Sequence, residues 1–298
     1  MRSTELHIKN NLLVQVAEKL KDYHALVKFR LSTFVVFSAA IGFVLASQGV
    51  FATTDLIVFI IGGALITGAS NALNQVIEKE TDKLMARTQN RPIPSRKMSL
   101  MEASLAAGLM GIGGVVLLWF CFNPVAALLG ALSLFSYAFI YTPLKRVSPI
   151  AVFVGAFPGA IPPVIGWVAV TGQIAPEALL IFALQFAWQF PHFWAIAWVA
   201  HDDYKKGGFS LLPAESGKSK ASAIHVVIWT ALLIPLSLVP FNMGVLGVAG
   251  TIVIATSSFL FLLQAINLLI KCTDKAARQL MFGSFAYLPI VLIALLLG

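Results

Sequence analysis

The chain has 298 residues, of which 58% are hydrophobic and only 11% charged, and its mean hydropathy is +0.86. A soluble domain carries about a quarter charged residues, so an ordinary water-soluble enzyme is excluded, while the length allows about nine membrane spans of roughly 20 residues. The net charge of +8 does not imply a nucleic-acid partner, because the charges sit in clusters between apolar runs, as membrane orientation requires.

Residues 1–30 read as a polar cytoplasmic or interfacial tail. Leu13, Val16, Leu20, Tyr23 and Val27 recur at helical spacing, which suits either a helix in the membrane interface or a simple cytosolic one. No short apolar core with a small-residue cleavage site precedes the first long apolar run, so the first span is expected to be kept. Spans are expected at 31–49, 56–76, 103–120, 124–141, 150–170, 176–200, 222–239, 244–269 and 281–297, with spans 7 and 8 split at Pro240–Asn242. Glycines such as Gly62, Gly63, Gly111, Gly113 and Gly114 read as close helix contacts.

Charge supports this count. With the N-terminus placed in the cytoplasm, all 21 Lys and Arg residues fall in the tail or in the loops after spans 2, 4, 6 and 8, and the opposite loops carry only Asp55 and Glu177. The expected architecture is all-α and polytopic: a tail over 1–30, then a nine-helix domain over 31–298 around a central cavity opening to the cytoplasm. Cys121 and Cys272 match no zinc or haem-attachment spacing. They lie on opposite sides in this topology, so no disulfide is expected between them.

Two polar stretches carry the candidate chemistry. In Asn71–Pro94, Asn74, Glu78 and Asp82 recur every four residues, so in a helix they share one face. Two carboxylates and an amide can hold Mg²⁺ through oxygen, and Arg87 and Arg91 can fork onto phosphate. A solvated loop with i,i+4 salt bridges is the plain alternative. In Pro191–Pro213, the pair Asp202–Asp203 precedes Lys205 and Lys206 at the end of span 6, on the same side. This pair either faces the first cluster across a cavity and shares its metal, or offsets the lysines. YTPLKR at the end of span 4 adds Tyr141, Lys145 and Arg146 to that surface. His192 lies in the aromatic run of span 6 and reads as a satisfied core histidine, an acid–base group or a haem-iron ligand. Most span 6 aromatics read as core, although rings facing a cavity can stabilise an allylic cation. Intramembrane charges, which mark ion pathways, are almost absent.

The motif N-x-x-x-E-x-x-x-D-x-x-x-x-R-T-x-N-R-P from Asn74 to Pro92, with YTPLKR, PHFWAIA, the DDY of Asp202–Tyr204 and the LLP of Leu211–Pro213, resembles the UbiA superfamily of intramembrane prenyltransferases over nearly the whole chain. PHFWAIA, DDY and LLP resemble its haem-modifying branch. Glu78 departs from the aspartate common in the middle of the first motif, and the acids of the second are compressed into Asp202–Asp203. The resemblance implies a farnesyl diphosphate donor, a haem b acceptor, and haem O as the product. It implies a Mg²⁺ site from Asn74, Glu78, Asp82, Asp202 and Asp203, with Arg87, Arg91, Tyr141, Lys145, Arg146 and Tyr204 around the diphosphate and His192 on the haem. Further expectations are surrounding membrane lipids, a haem A synthase or terminal oxidase assembly factor as partner, and a bacterial plasma membrane location. The alternatives are a related enzyme acting on a quinone or chlorophyll-type precursor, and a transporter of a lipidic or anionic solute.

Overall fold

The computed structural model describes residues 2–297, with side chains from Val14 onward. Helix α1 (Arg2–Leu26) precedes nine helices long and apolar enough to cross a membrane among the described residues: α2 (Phe29–Ala46), α3 (Thr53–Ile77), α5 (Leu100–Cys121), the continuous run of α6 (Pro124–Phe135), a π turn (Ser136–Tyr141) and α7 (Thr142–Leu144), then α8 (Ala151–Thr171), α9 (Pro176–Val199), α11 (Lys220–Asn242), α12 (Val248–Lys271) and α13 (Asp274–Leu295). Two short helices, α4 (Lys79–Asp82) and α10 (His201–Lys206), follow α3 and α9.

The helix starts follow local chemistry. Ser99, Asn123, Ser219 and Thr273 each accept an amide hydrogen bond as N-caps, and Pro124 occupies the first turn of α6. Most span ends lie within four residues of the sequence expectation, and two of the differences have a clear local cause. The last span begins at Asp274 and not at 281, because Thr273 caps it and Asp274 sits at its positive end. Helix α11 continues through Pro240 to Asn242, and the break comes at the following turn, where Gly244 has φ 70°. A proline within a membrane helix removes one hydrogen bond without ending it.

Helix α8 lies at the centre, packed on α2, α6 and α9, while α9 also meets α11 and α13. The α2–α8 crossing is backbone on backbone: a Cβ at Gly42 would overlap the Pro163 carbonyl, and one at Gly166 the Ala39 carbonyl. Prolines in α8 release carbonyls that neighbouring helices then satisfy. Pro162 cannot donate to Pro158 O, which accepts from Ser133 Oγ at 3.2 Å; Pro163 cannot donate to Gly159 O, which accepts from Gln185 Nε2 at 2.7 Å. Replacing Gln185 with Met should therefore cost about 1–2 kcal/mol, since the carbonyl is orphaned in a dry interior. Thermal unfolding of detergent-purified protein checks this.

The N-terminal segment is docked onto the bundle. Leu26 is fully buried. Gln75 Nε2 donates to Ala25 O and Leu26 O, and Asn71 Nδ2 to Val27 O and Ser32 Oγ, so α3 caps the carbonyl end of α1. Lys19 and Tyr23 both bind Glu102 of α5, at 2.8 and 2.9 Å. Of the expected apolar stripe, Tyr23 and Val27 meet the bundle while Val16 and Leu20 remain exposed; the Leu13 side chain lies outside the described residues. Lys28, at φ 47°, turns the chain from α1 into α2.

Candidate active site

Helices α2, α3, α5, α6, α8 and α9 surround a partly open cavity. Most of the wall is apolar, with Val35, Ile66, Leu118, Pro162 and Phe193 among its residues, and Asn71, Tyr141 and Gln189 add polar atoms.

The π turn shapes one wall. Pro143 has no amide to donate, and Thr142 Oγ1 donates to Tyr137 O at 2.8 Å. Tyr137 and Tyr141 both face the cavity, with ring centroids 5.3 Å apart, and Lys145 Nζ lies 5.0 Å from the Tyr141 ring.

The polar end of the site is built on α3 and α4. The helix breaks at Glu78 (φ −89°, ψ 9°), yet Glu78 N still donates to Asn74 O and Asp82 N to Glu78 O, so the four-residue ladder holds through the break. Asn74, Glu78 and Asp82 are 1%, 5% and 0% exposed. The plain alternative of a solvated loop is thereby excluded. Each of the three meets a basic side chain. Asn74 Oδ1 accepts from Lys28 Nζ at 2.6 Å, Glu78 Oε1 meets Lys145 Nζ, and both Asp82 oxygens accept from Arg91 Nη1 at 2.9 and 2.7 Å. Asn74 Nδ2 donates to Thr142 Oγ1 at 3.2 Å, tying α3 to the π turn. Burial, and then the Arg91 and Lys145 charges, hold the Lys28 amine well below the usual lysine range; burial also raises the Asp82 carboxyl against the opposing pull of Arg91.

Arg87, Asp203 and Tyr204 form a separate rim. Asp203 accepts from the backbone amides of Ala86 and Arg87 at 2.8 and 3.2 Å. Arg87 Nη2 donates to Tyr204 Oη at 3.0 Å, and its guanidinium lies 5.0 Å from that ring. The ring of Phe209 joins this rim to Lys145, 5.4 Å from Nζ.

Not every expected site residue converges. Asp203 spends its carboxylate on backbone amides, and the Asp202 side chain is 87% exposed, 3.9 Å from Lys218, which binds Asp274 more closely at 2.9 Å. The expected second half of a metal site is therefore not assembled, and among the described residues no three Asp, Glu, His or Cys side chains come together. Arg146 is exposed. His192 faces α13: its ring stacks on Trp188 at 4.5 Å, and Nδ1 lies 2.7 Å from Ser284 Oγ. Sequence reasoning missed Lys28, Tyr137 and Phe209. Lys28 stands at the head of an apolar run, where a topology signal already accounts for a lysine; only the turn at its positive φ sends the amine inward.

The donor set suits Mg²⁺. That ion retains several waters and leans on one or two carboxylates plus substrate phosphates, so a full protein cage is not needed. Glu78, Asp82 and the Asn74 amide supply hard oxygen ligands, all buried.

The model of the UbiA prenyltransferase family matches residues 35–288. The chain belongs to the UbiA prenyltransferase family. It is an integral multi-pass membrane prenyltransferase. It is 47% identical to a protoheme IX farnesyltransferase of Cytophaga hutchinsonii, over 95% of this chain and 99% of the relative, and 44% identical to one of Christiangramia forsetii, over 94% of each. Its fold is similar to a digeranylgeranylglyceryl phosphate synthase (TM-score 0.79, 22% identity, 94% of this chain and 98% of that one). It is also similar to a UbiA homologue of Archaeoglobus fulgidus bound to GPP and Mg²⁺ (TM-score 0.67, 14% identity, 91% of this chain and 99% of that one). Membership excludes the transporter alternative at the level of family.

Proposed function

We propose that this prenyltransferase moves the farnesyl group of farnesyl diphosphate onto a vinyl group of haem b, with addition of water, giving haem O and diphosphate. The observation that carries the donor half is the buried Asn74–Glu78–Asp82 oxygen row, faced by Lys28, Arg91 and Lys145, which begins three residues along α3 from Asn71 in the wall of an apolar cavity. That arrangement suits an anionic head group with a long hydrocarbon tail. The acceptor is supported by the relatives at 42–47% identity, which are protoheme IX farnesyltransferases.

Asn74, Glu78 and Asp82 would hold Mg²⁺, which when bound neutralises the diphosphate and makes it a better leaving group. Lys28, Arg91 and Lys145 then take up phosphate oxygens as the C–O bond breaks, and Arg87 with Tyr204 closes the rim. Asp203 positions Arg87 through the two backbone amides. The rings of Tyr137 and Tyr141, facing the cavity, stabilise the allylic cation. Farnesyl C1 bonds to the terminal vinyl carbon, a water oxygen bonds to the adjacent carbon, and that water's second proton is released. Ser284 Oγ donates to Met281 O at 2.6 Å, so it accepts from His192 Nδ1–H, and His192 ties α9 to α13 rather than lining the cavity. The distribution of Lys and Arg supports a cytoplasmic N-terminus and a cavity opening on that side of a bacterial plasma membrane. Haem O then passes to a haem A synthase or an oxidase assembly factor.

The deciding experiment incubates membranes containing the protein with haem b and farnesyl diphosphate and reads products by mass. Haem O is expected. A prenylated phenol from a quinone precursor, with no haem O, would overturn the acceptor.

A further inference from the structure

We infer that Lys28, Arg91 and Lys145 make the divalent metal and the diphosphate bind as a linked pair, the metal being held off until the diphosphate draws these three side chains away. The inference rests on the proposal that this is a prenyl diphosphate site. Every oxygen group suited to the metal is already engaged by a basic head: Asn74 by Lys28 at 2.6 Å, Asp82 by Arg91 at 2.7 Å, and Glu78 by Lys145. Three basic heads thus face two carboxylates. A divalent cation arriving alone must displace these partners or sit beside them, and in a poorly solvated pocket that repulsion is strong. Diphosphate supplies the missing negative charge and offers each head a better acceptor.

The three heads are placed so that this exchange leaves the metal ligands where they are. The ligands ride on α3 and α4. Lys28 comes from the α1–α2 junction, Arg91 from the segment after α4, and Lys145 from just beyond α7. Each is a long, flexible arm rooted off the helix that carries its partner, so it can swing to phosphate without a backbone change in α3. Asn74 is steadied meanwhile by Thr142.

The test uses equilibrium dialysis of the full chain in detergent at one fixed free Mn²⁺ activity, Mn²⁺ standing in for Mg²⁺, with and without inorganic pyrophosphate. Wild type should hold Mn²⁺ at least tenfold more tightly with pyrophosphate than alone. Lys145→Met should raise the affinity for Mn²⁺ alone at least fivefold and shrink the pyrophosphate enhancement, and Lys28→Met should do the same to a smaller extent. Equal Mn²⁺ binding by wild type with and without pyrophosphate would overturn the inference. So would folded variants, judged by their thermal midpoints, whose affinity for Mn²⁺ alone is unchanged or weaker. If both variants failed to fold, the wild-type comparison would still decide. Failure of the proposed function is read separately, as absent haem O with the linked binding intact.

Discussion

Asp82→Asn should lower farnesyl transfer by about 10²–10³-fold, the range seen when one preorganised electrostatic group is removed from a reaction centre. The carboxylate is fully buried and holds Arg91 through both oxygens. The amide keeps the shape but loses the charge that would hold a metal, and it leaves the Arg91 guanidinium without its anion. Asp202→Asn, by contrast, should stay within a few-fold of wild type, because that side chain is 87% exposed and makes one long contact with Lys218. Rates measured on folded, detergent-purified variants separate the two. A loss at Asp202 as large as at Asp82 would mean that the rim rearranges to bring Asp202 inward.

Sequence alone treated these two acids alike, and the difference shows what a chain can disclose. The spans were legible because hydropathy and the side preference of Lys and Arg are additive properties of runs of residues. The first motif was legible because a four-residue period survives folding: Asn74, Glu78 and Asp82 stay on one face even through the break at Glu78. The partners of those residues were not legible. Glu78 meets Lys145, and Asn74 meets Lys28, across separations that no local pattern encodes. Asp203 looked like a metal ligand because a carboxylate beside another carboxylate suggests one; its engagement by the Ala86 and Arg87 amides depends on how α10 meets the turn after α4. The start of α13 was misjudged because Asp274, Lys275 and Arg278 depress hydropathy, although Thr273 caps the helix ahead of them.

Gly42→Leu should abolish stable folding or cost at least about 3 kcal/mol, the upper range for overpacking. At this crossing the obstruction is the Pro163 carbonyl, part of the main chain, which cannot turn aside as a flexible side chain can. Helices α2 and α8 would have to separate, and the wall they form together would open. Gly63→Leu provides the contrast. A Cβ there meets nothing within 4 Å, but Gly63 lines the cavity. The second variant should fold with a near-normal thermal midpoint and yet transfer farnesyl poorly, because the added isobutyl group fills space needed by the isoprenoid tail. Folded yield and midpoint report the first effect, and product formation by folded protein reports the second.

The π turn at Ser136–Tyr141 places one surplus residue in an otherwise α-helical ladder. An α-helix advances 100° per residue, so chain length upstream of this turn and azimuth downstream of it are coupled like the teeth of a gear. Deleting any one residue within the turn would let the ladder close into regular α-helix. Because the wide turn is what absorbs the surplus residue, the segment beyond it would keep its azimuth, with Lys145 still near Glu78 and Thr142 near Asn74, whereas deleting one residue from the regular part of α6 would swing that segment by about 100°. The bearing of the site thus depends on a count of residues in α6 as much as on their identity, and a single-codon deletion outside the π turn is a larger change than one within it.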